Sequence, residues 1–188
     1  MHMLEQILDF NESFVRQKAY EKYATTKYPD KKLVILSCMD TRLVELLPRA
    51  MNLKNGDAKI IKNAGAIVSH PFGSAMRSIL VAIYELKAQE VCVVGHYDCG
   101  MSAVHPPTVL QKMHERGISA TTTGTLKHAG IDLKRWLKGF DDVAAGVKNS
   151  VHIIKNHPLL PRDVPVHGLI IDPETGNLDR VVDGYKPE

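Results

Sequence analysis

Two short stretches of this 188-residue chain concentrate residues able to do chemistry: Cys38-Met39-Asp40-Thr41-Arg42 and His96-Tyr97-Asp98-Cys99-Gly100. Two thiols and one imidazole form a donor set suited to Zn2+, which prefers tetrahedral sulfur and nitrogen ligation. Only Cys38, His96 and Cys99 stand out as strong ligands. A three-ligand zinc site with an open fourth position is the catalytic type, and it lowers the pKa of a bound water to about 7. Asp40 could accept a hydrogen bond from that water and orient it, while Arg42 holds the carboxylate ionised in a bidentate pair. Asp40 could instead take the fourth position itself and close the site. Each residue alone has a plainer reading: a small buried hydrophobe for Cys38, a helix cap for Asp40, a surface charge for Arg42, a core histidine for His96. The readings change when the two stretches are brought together.

The elements around them predict that meeting. Leu33-Val34-Ile35-Leu36 and Val91-Cys92-Val93-Val94 are continuous apolar runs of strand length, ending at the two reactive stretches. Runs without polar alternation indicate strands covered on both faces, as in a parallel sheet. Sites in such sheets form beyond the carboxyl ends of the strands. Cys92 lies inside the second run, four residues before His96, and is expected in the core. Helices are expected near 4–23, 42–51, 74–87, 109–116, 133–137 and 143–155. A further short strand is expected at 58–61. Residues 166–171 and 178–182 should form a closing antiparallel pair around the turn Asp172-Pro173-Glu174-Thr175-Gly176-Asn177. The Thr-rich stretch 119–124 reads as a loop. The fold class is therefore α/β, a mainly parallel central sheet with flanking helices and a C-terminal antiparallel edge hairpin. Residues 1–188 read as a single α/β domain, with 1–28 as an N-terminal helical arm.

Composition narrows the function classes. The formal net charge is +3, too small to imply a nucleic-acid or membrane partner. Three cysteines in a chain of this length argue against a disulfide framework and for a reducing compartment. No apolar stretch approaches a membrane span, no signal-peptide pattern is visible, and a cytoplasmic location is expected. No dinucleotide or P-loop glycine motif follows any strand.

The pairing of Cys38-x-Asp40-x-Arg42 with His96-x-x-Cys99-Gly100 resembles the β-class carbonic anhydrases, and its short variants resemble their small prokaryotic branch. The resemblance runs from the N-terminal helix to the closing strands. It implies zinc held by Cys38, His96 and Cys99, with Asp40 and Arg42 as a catalytic dyad. The implied reaction is reversible hydration of CO2 to bicarbonate and a proton, and the implied assembly a homodimer or homotetramer. The stretch Lys62-Asn63-Ala64-Gly65-Ala66 resembles the family's segment lining the active-site region, so Ala64 and Gly65 are expected at the pocket. Two positions depart from family patterns. Pro29 stands where plant-type members carry a substrate-binding Gln, and Ile35 where bicarbonate-inhibited members carry a Trp. His105, beside Pro106-Pro107, reads as a surface histidine, with a proton shuttle as the alternative. Whether Asp40 is on or off the metal stays open. Hydrolysis of carbonyl sulfide or carbon disulfide on the same zinc site and a non-catalytic zinc or thiol sensor are the competing functions.

Overall fold

Leu33 to Leu36 are apolar without interruption because both faces of their strand are covered. A computed structural model describes residues 2–186. Met1, Pro187 and Glu188, at the ends of the span expected as one domain, lie outside the described residues. Five strands, β1 (Leu33–Cys38), β2 (Ala58–Asn63), β3 (Glu90–His96), β4 (Val166–Ile171) and β5 (Leu178–Val182), form one sheet in the order β2-β1-β3-β4-β5. The pairs β1–β2, β1–β3 and β3–β4 are parallel. β5 runs antiparallel to β4 at the sheet edge, after the turn at 172–177.

Alternate residues of the central strands divide between two apolar layers. Val34, Leu36, Val91 and Val93 pack with α3 (Ser74–Tyr84) and α7 (Val143–Lys155), through Met76, Ile79, Val147, Val151 and Ile154. Ile35, Cys92 and Val94 pack with Leu43 and Leu47 of α2 (Leu43–Ala50) on the other face. Two glycines let α7 lie close to the sheet. A Cβ at Gly95 would stand 2.7 Å from Val147 Cγ2, and one at Gly168 2.8 Å from Val147 Cγ1.

The remaining helices are α1 (Met3–Arg16), α4 (Pro106–Glu115), α5 (Ala120–His128) and α6 (Leu133–Leu137). Two expectations need correction. The first helix ends at Arg16 rather than near residue 23: Lys18 adopts a left-handed φ of 54°, and only a 3-10 turn, Glu21–Tyr23, follows. The stretch 119–124, expected as a loop, opens α5 instead. Ser119 caps it, its Oγ accepting the Thr122 N–H at 3.1 Å, which offsets the weak helix propensity of the threonines. α1 buries none of its residues. Leu4, Ile7, Leu8 and Val15 of its apolar stripe are all more than half exposed. Among the described residues no helix is long and apolar enough to cross a membrane.

Candidate metal centre

Parallel pairing of β1 and β3 places both reactive stretches at the same sheet edge. Cys38 is the last residue of β1 and His96 the last of β3. The chain then turns through Asp98, at a left-handed φ of 51°, and carries Cys99 back. Among the described residues Cys38, His96 and Cys99 form a cluster whose ligand atoms all lie within 4.8 Å of one another, and all three are buried. Cys92 is buried too, but it sits in the core layer beside Leu47 and outside that cluster.

Three observations test whether these residues fit a metal ion. Two thiolates 2.3 Å from one tetrahedral ion stand about 3.8 Å apart, and the Sγ atoms of Cys38 and Cys99 are 3.8 Å apart. His96 Nδ1 lies 2.8 Å from the Tyr97 carbonyl, to which it can donate only as Nδ1–H. That tautomer leaves Nε2 with a free lone pair. Nε2 is fully buried and has no hydrogen-bond partner, an arrangement that is costly unless something else occupies it. The donor set of two sulfurs and one nitrogen fits Zn2+.

Without a metal, the electrostatics favour a thiolate at Cys38 and a neutral thiol at Cys99. Burial pushes the Cys38 thiol up, but the His96 imidazole and the backbone N–H groups of Gly65 and Asp40 outweigh it and bring its pKa to about 7. Gly65 N–H donates to Cys38 Sγ at 3.3 Å. For Cys99, burial dominates, the nearby Cys38 adds to it, and the thiol is raised to about 11. Burial opposes charging of His96, yet its neighbours, the Cys38 sulfur first, shift the imidazole upward.

Asp40 and Arg42 lie at the mouth of the cluster. Asp40 Oδ1 accepts from Arg42 Nε at 3.0 Å and from the Arg42 backbone N–H at 2.9 Å, and Oδ2 accepts from Nη2 at 2.9 Å. These bonds from Arg42 hold the Asp40 carboxyl down at about 2. Asp40 Oδ2 is 3.8 Å from His96 Nε2. Arg42 also reaches Asp98: Nη1 donates to its Oδ2 at 3.0 Å and Nη2 to its carbonyl at 3.1 Å.

The segment after β2 closes one side. Gly65 and Ala66 both adopt left-handed φ, 77° and 55°. The Asn63 side chain braces the bend by bonding Ile67 N–H and C=O. Ser150, fully buried on α7, donates to the Ala66 carbonyl and accepts the Val68 N–H, both at 3.2 Å. A cleft of about 330 Å3 results, lined by Cys38, Met39, Asp40, Thr41, Ala64, Gly65, Cys99, Gly100 and Met101. Ala64 and Gly65 both line this cleft. His105 does not line this cleft; it is exposed, its Nδ1 3.1 Å from Thr108 Oγ1. A larger cleft of about 860 Å3, lined in part by Glu90, Arg162 and Tyr185, contains none of the residues singled out from sequence. Sequence reasoning missed Asp98 and Ser150. The left-handed turn in His96-x-x-Cys99 was a signal for the first, whereas the second carries none beyond a polar residue on an apolar helix face.

The family profile described as "Carbonic anhydrase" matches residues 33–178, which include both reactive stretches. The "Putative carbonic anhydrase YtiB" of Bacillus subtilis (strain 168) is 62% identical over 185 residues, 98% of this chain and 99% of the relative. A carbon disulfide hydrolase of Acidithiobacillus thiooxidans is 29% identical over 157 residues, covering 79% of this chain and 76% of the relative. The crystal structure of β-carbonic anhydrase isoform I from Trichomonas vaginalis superposes with a TM-score of 0.90 at 35% identity, covering 98% of this chain and 100% of that one. On the profile match, the identity over nearly the whole chain and the near-complete superposition, this chain belongs to the β-carbonic anhydrase family.

Proposed function

We propose that the chain is a zinc-dependent enzyme that hydrates CO2 reversibly to bicarbonate and a proton. The observation that carries this reading is the buried cluster of Cys38, His96 and Cys99, at tetrahedral thiolate spacing beside a bidentate Asp40–Arg42 pair. These three residues would hold Zn2+, and Asp40, turned to Arg42, would stay off it. Bound there, zinc supplies the Lewis acidity that makes water a nucleophile near neutral pH.

The chain's own residues do the rest. Asp40 is kept ionised by Arg42 and so offers only acceptor oxygens, which orient the attacking water through a hydrogen bond. Arg42 fixes the direction of that carboxylate. Ala64, Gly65 and Met101 give the cleft an apolar wall suited to an uncharged substrate. Bicarbonate leaves through the same opening, and the proton passes to bulk buffer. The buried imidazole of His96 has its Nδ1–H committed to Tyr97 and is not free to carry protons. A sensor role fits less well, since a structural zinc site has four closed ligands and would give the Asp40–Arg42 pair no task.

A second reading, hydrolysis of carbon disulfide or carbonyl sulfide, is favoured by the similarity to carbon disulfide hydrolases. Stopped-flow CO2 hydration on zinc-replete protein at alkaline pH, run beside sulfide release from each alternative substrate, separates the two. CO2 turnover with negligible sulfide release supports the first reading, and a silent CO2 assay sinks it.

We further propose that the chain works as one α/β domain in a reducing cytoplasm and as a homodimer or homotetramer. The support for assembly is α1, whose apolar Leu4, Ile7, Leu8 and Val15 are each more than half exposed. Sedimentation of the intact protein beside a Leu4→Glu/Leu8→Glu variant tests it. A shift of the variant toward monomer is expected, and an unchanged mass would contradict it.

A further inference from the structure

Arg42 is held from both ends. Its Nε and Nη2 face Asp40, and its Nη1 faces Asp98 Oδ2 at 3.0 Å, with the Asp98 carbonyl taking a second bond from Nη2 at 3.1 Å. The two anchors follow different strands, β1 and β3, and Asp98 lies 56 residues beyond Arg42 in sequence. The guanidinium is thus a bridge between the ends of β1 and β3. Its side chain is 40% exposed, and an exposed arginine with one carboxylate partner keeps much rotational freedom. The second anchor, whose own carboxylate is 86% exposed, adds a contact at the far end of the fork. Position 98 also demands an unusual backbone, φ 51°, which Asp, Asn and Gly tolerate better than other residues. A residue needed only for the turn could be Gly or Asn. The carboxylate aimed at Arg42 is the feature the turn does not require.

We propose that Asp98 is a positioning residue for the site: it locks Arg42, and through Arg42 it fixes the Asp40 carboxylate toward the cleft. The proposal rests on the CO2-hydration reading for its kinetic consequence, and its structural part stands without it. Asp98 touches neither the metal-ligand cluster nor the reacting atoms, so its effect passes through Arg42. Raising of the Arg42 pKa by both carboxylates accords with the two-anchor arrangement.

Two variants dissect the turn from the anchor. Asp98→Gly keeps the left-handed backbone and the carbonyl bond to Nη2 but removes the carboxylate bond to Nη1. Asp98→Asn keeps the backbone and one acceptor oxygen but removes the charge. The readout independent of turnover is the guanidinium Nη–H signals of Arg42 in 15N-labelled protein, assigned with Arg42→Lys, because Nη1 is the atom that faces the Asp98 carboxylate. They should be rigid and slow to exchange in the parent and in Asp98→Asn, and mobile in Asp98→Gly. In CO2 hydration, kcat should fall about tenfold for Asp98→Gly and a few-fold for Asp98→Asn, with KM within about twofold and zinc content unchanged. A rigid Arg42 signal in Asp98→Gly would overturn the proposal, as would unchanged kcat in that variant or a loss confined to KM. If the parent protein does not hydrate CO2 at all, the functional reading fails, and the Arg42 signal still decides whether Asp98 is an anchor.

Discussion

Ser150→Ala offers a quantitative test of how the fold shapes the cleft. Ser150 lies on α7, has no exposed surface, and its hydroxyl serves both the Ala66 carbonyl and the Val68 N–H. Ala66 and Val68 are each only 1% exposed, so water cannot replace the lost partner. Leaving a buried polar group unsatisfied costs about 1–3 kcal/mol. Two such groups would cost about 4 kcal/mol, and the better helix propensity of alanine offsets roughly 0.5 kcal/mol. Relaxation of the bend recovers part of the remainder, so a net loss of about 3 kcal/mol is expected. With a urea dependence of about 2 kcal/mol per molar, the unfolding midpoint should fall by about 1.5 M at matched protein and zinc concentrations. The loop should also loosen: amide exchange at Gly65 and Val68 should quicken more than at the centre of β1. A midpoint within about 0.3 M of the parent, with unchanged exchange at both amides, would refute the claim that α7 braces this segment.

Two further predictions concern groups whose charge the fold controls. Burial, with a smaller push from Glu90, raises the Cys92 thiol to about 12. Cys92 should therefore resist iodoacetamide at pH 8, while Cys38, whose thiol is lowered to about 7, becomes labelled once zinc is chelated; peptide mass spectrometry that finds Cys92 labelled as fast as Cys38 would contradict its placement. Asp172 is held below the ordinary carboxylate pKa by the Glu174 N–H and the Thr175 hydroxyl. A lowered folded pKa gives stability that is present above the unfolded carboxylate value and lost as pH falls through the folded one. Asp172→Ala should therefore lower Tm at pH 7, with the gap to the parent closing as the pH is taken into the acid range; a gap that is constant with pH would show that the turn does not depend on the charge.

The strands were legible where both faces are covered. Leu33–Leu36 and Val91–Val94 read as strands from their apolar continuity, and their ends led to Cys38, Asp40, Arg42, His96 and Cys99. Strand limits were less legible because Ser37, Gly95 and His96 continue the sheet without being apolar; they are buried by what packs on them. α5 was missed because Thr121, Thr122 and Thr123 have little helix propensity, and its start depends on one cap at Ser119. Pro48 did not prevent α2. The carbonyl its missing N–H leaves free belongs to Val44, a residue on the exposed side. Asp98 and Ser150 act on partners 56 and more than 80 residues away. No local periodicity encodes such pairings, so only the folded arrangement brings them into view.

In the proposed enzyme Cys38, His96 and Cys99 hold zinc while Asp40, paired with Arg42, works on the substrate side. Asp40→Asn tests it most directly, through zinc content and CO2 hydration measured on the same preparation. One zinc per chain is expected in both proteins, with a fall in turnover of at least about a hundredfold in the variant, the scale of losing a positioned acid–base group. Undiminished turnover with zinc retained would contradict the role given to Asp40, and loss of the metal together with the activity would make Asp40 a ligand instead.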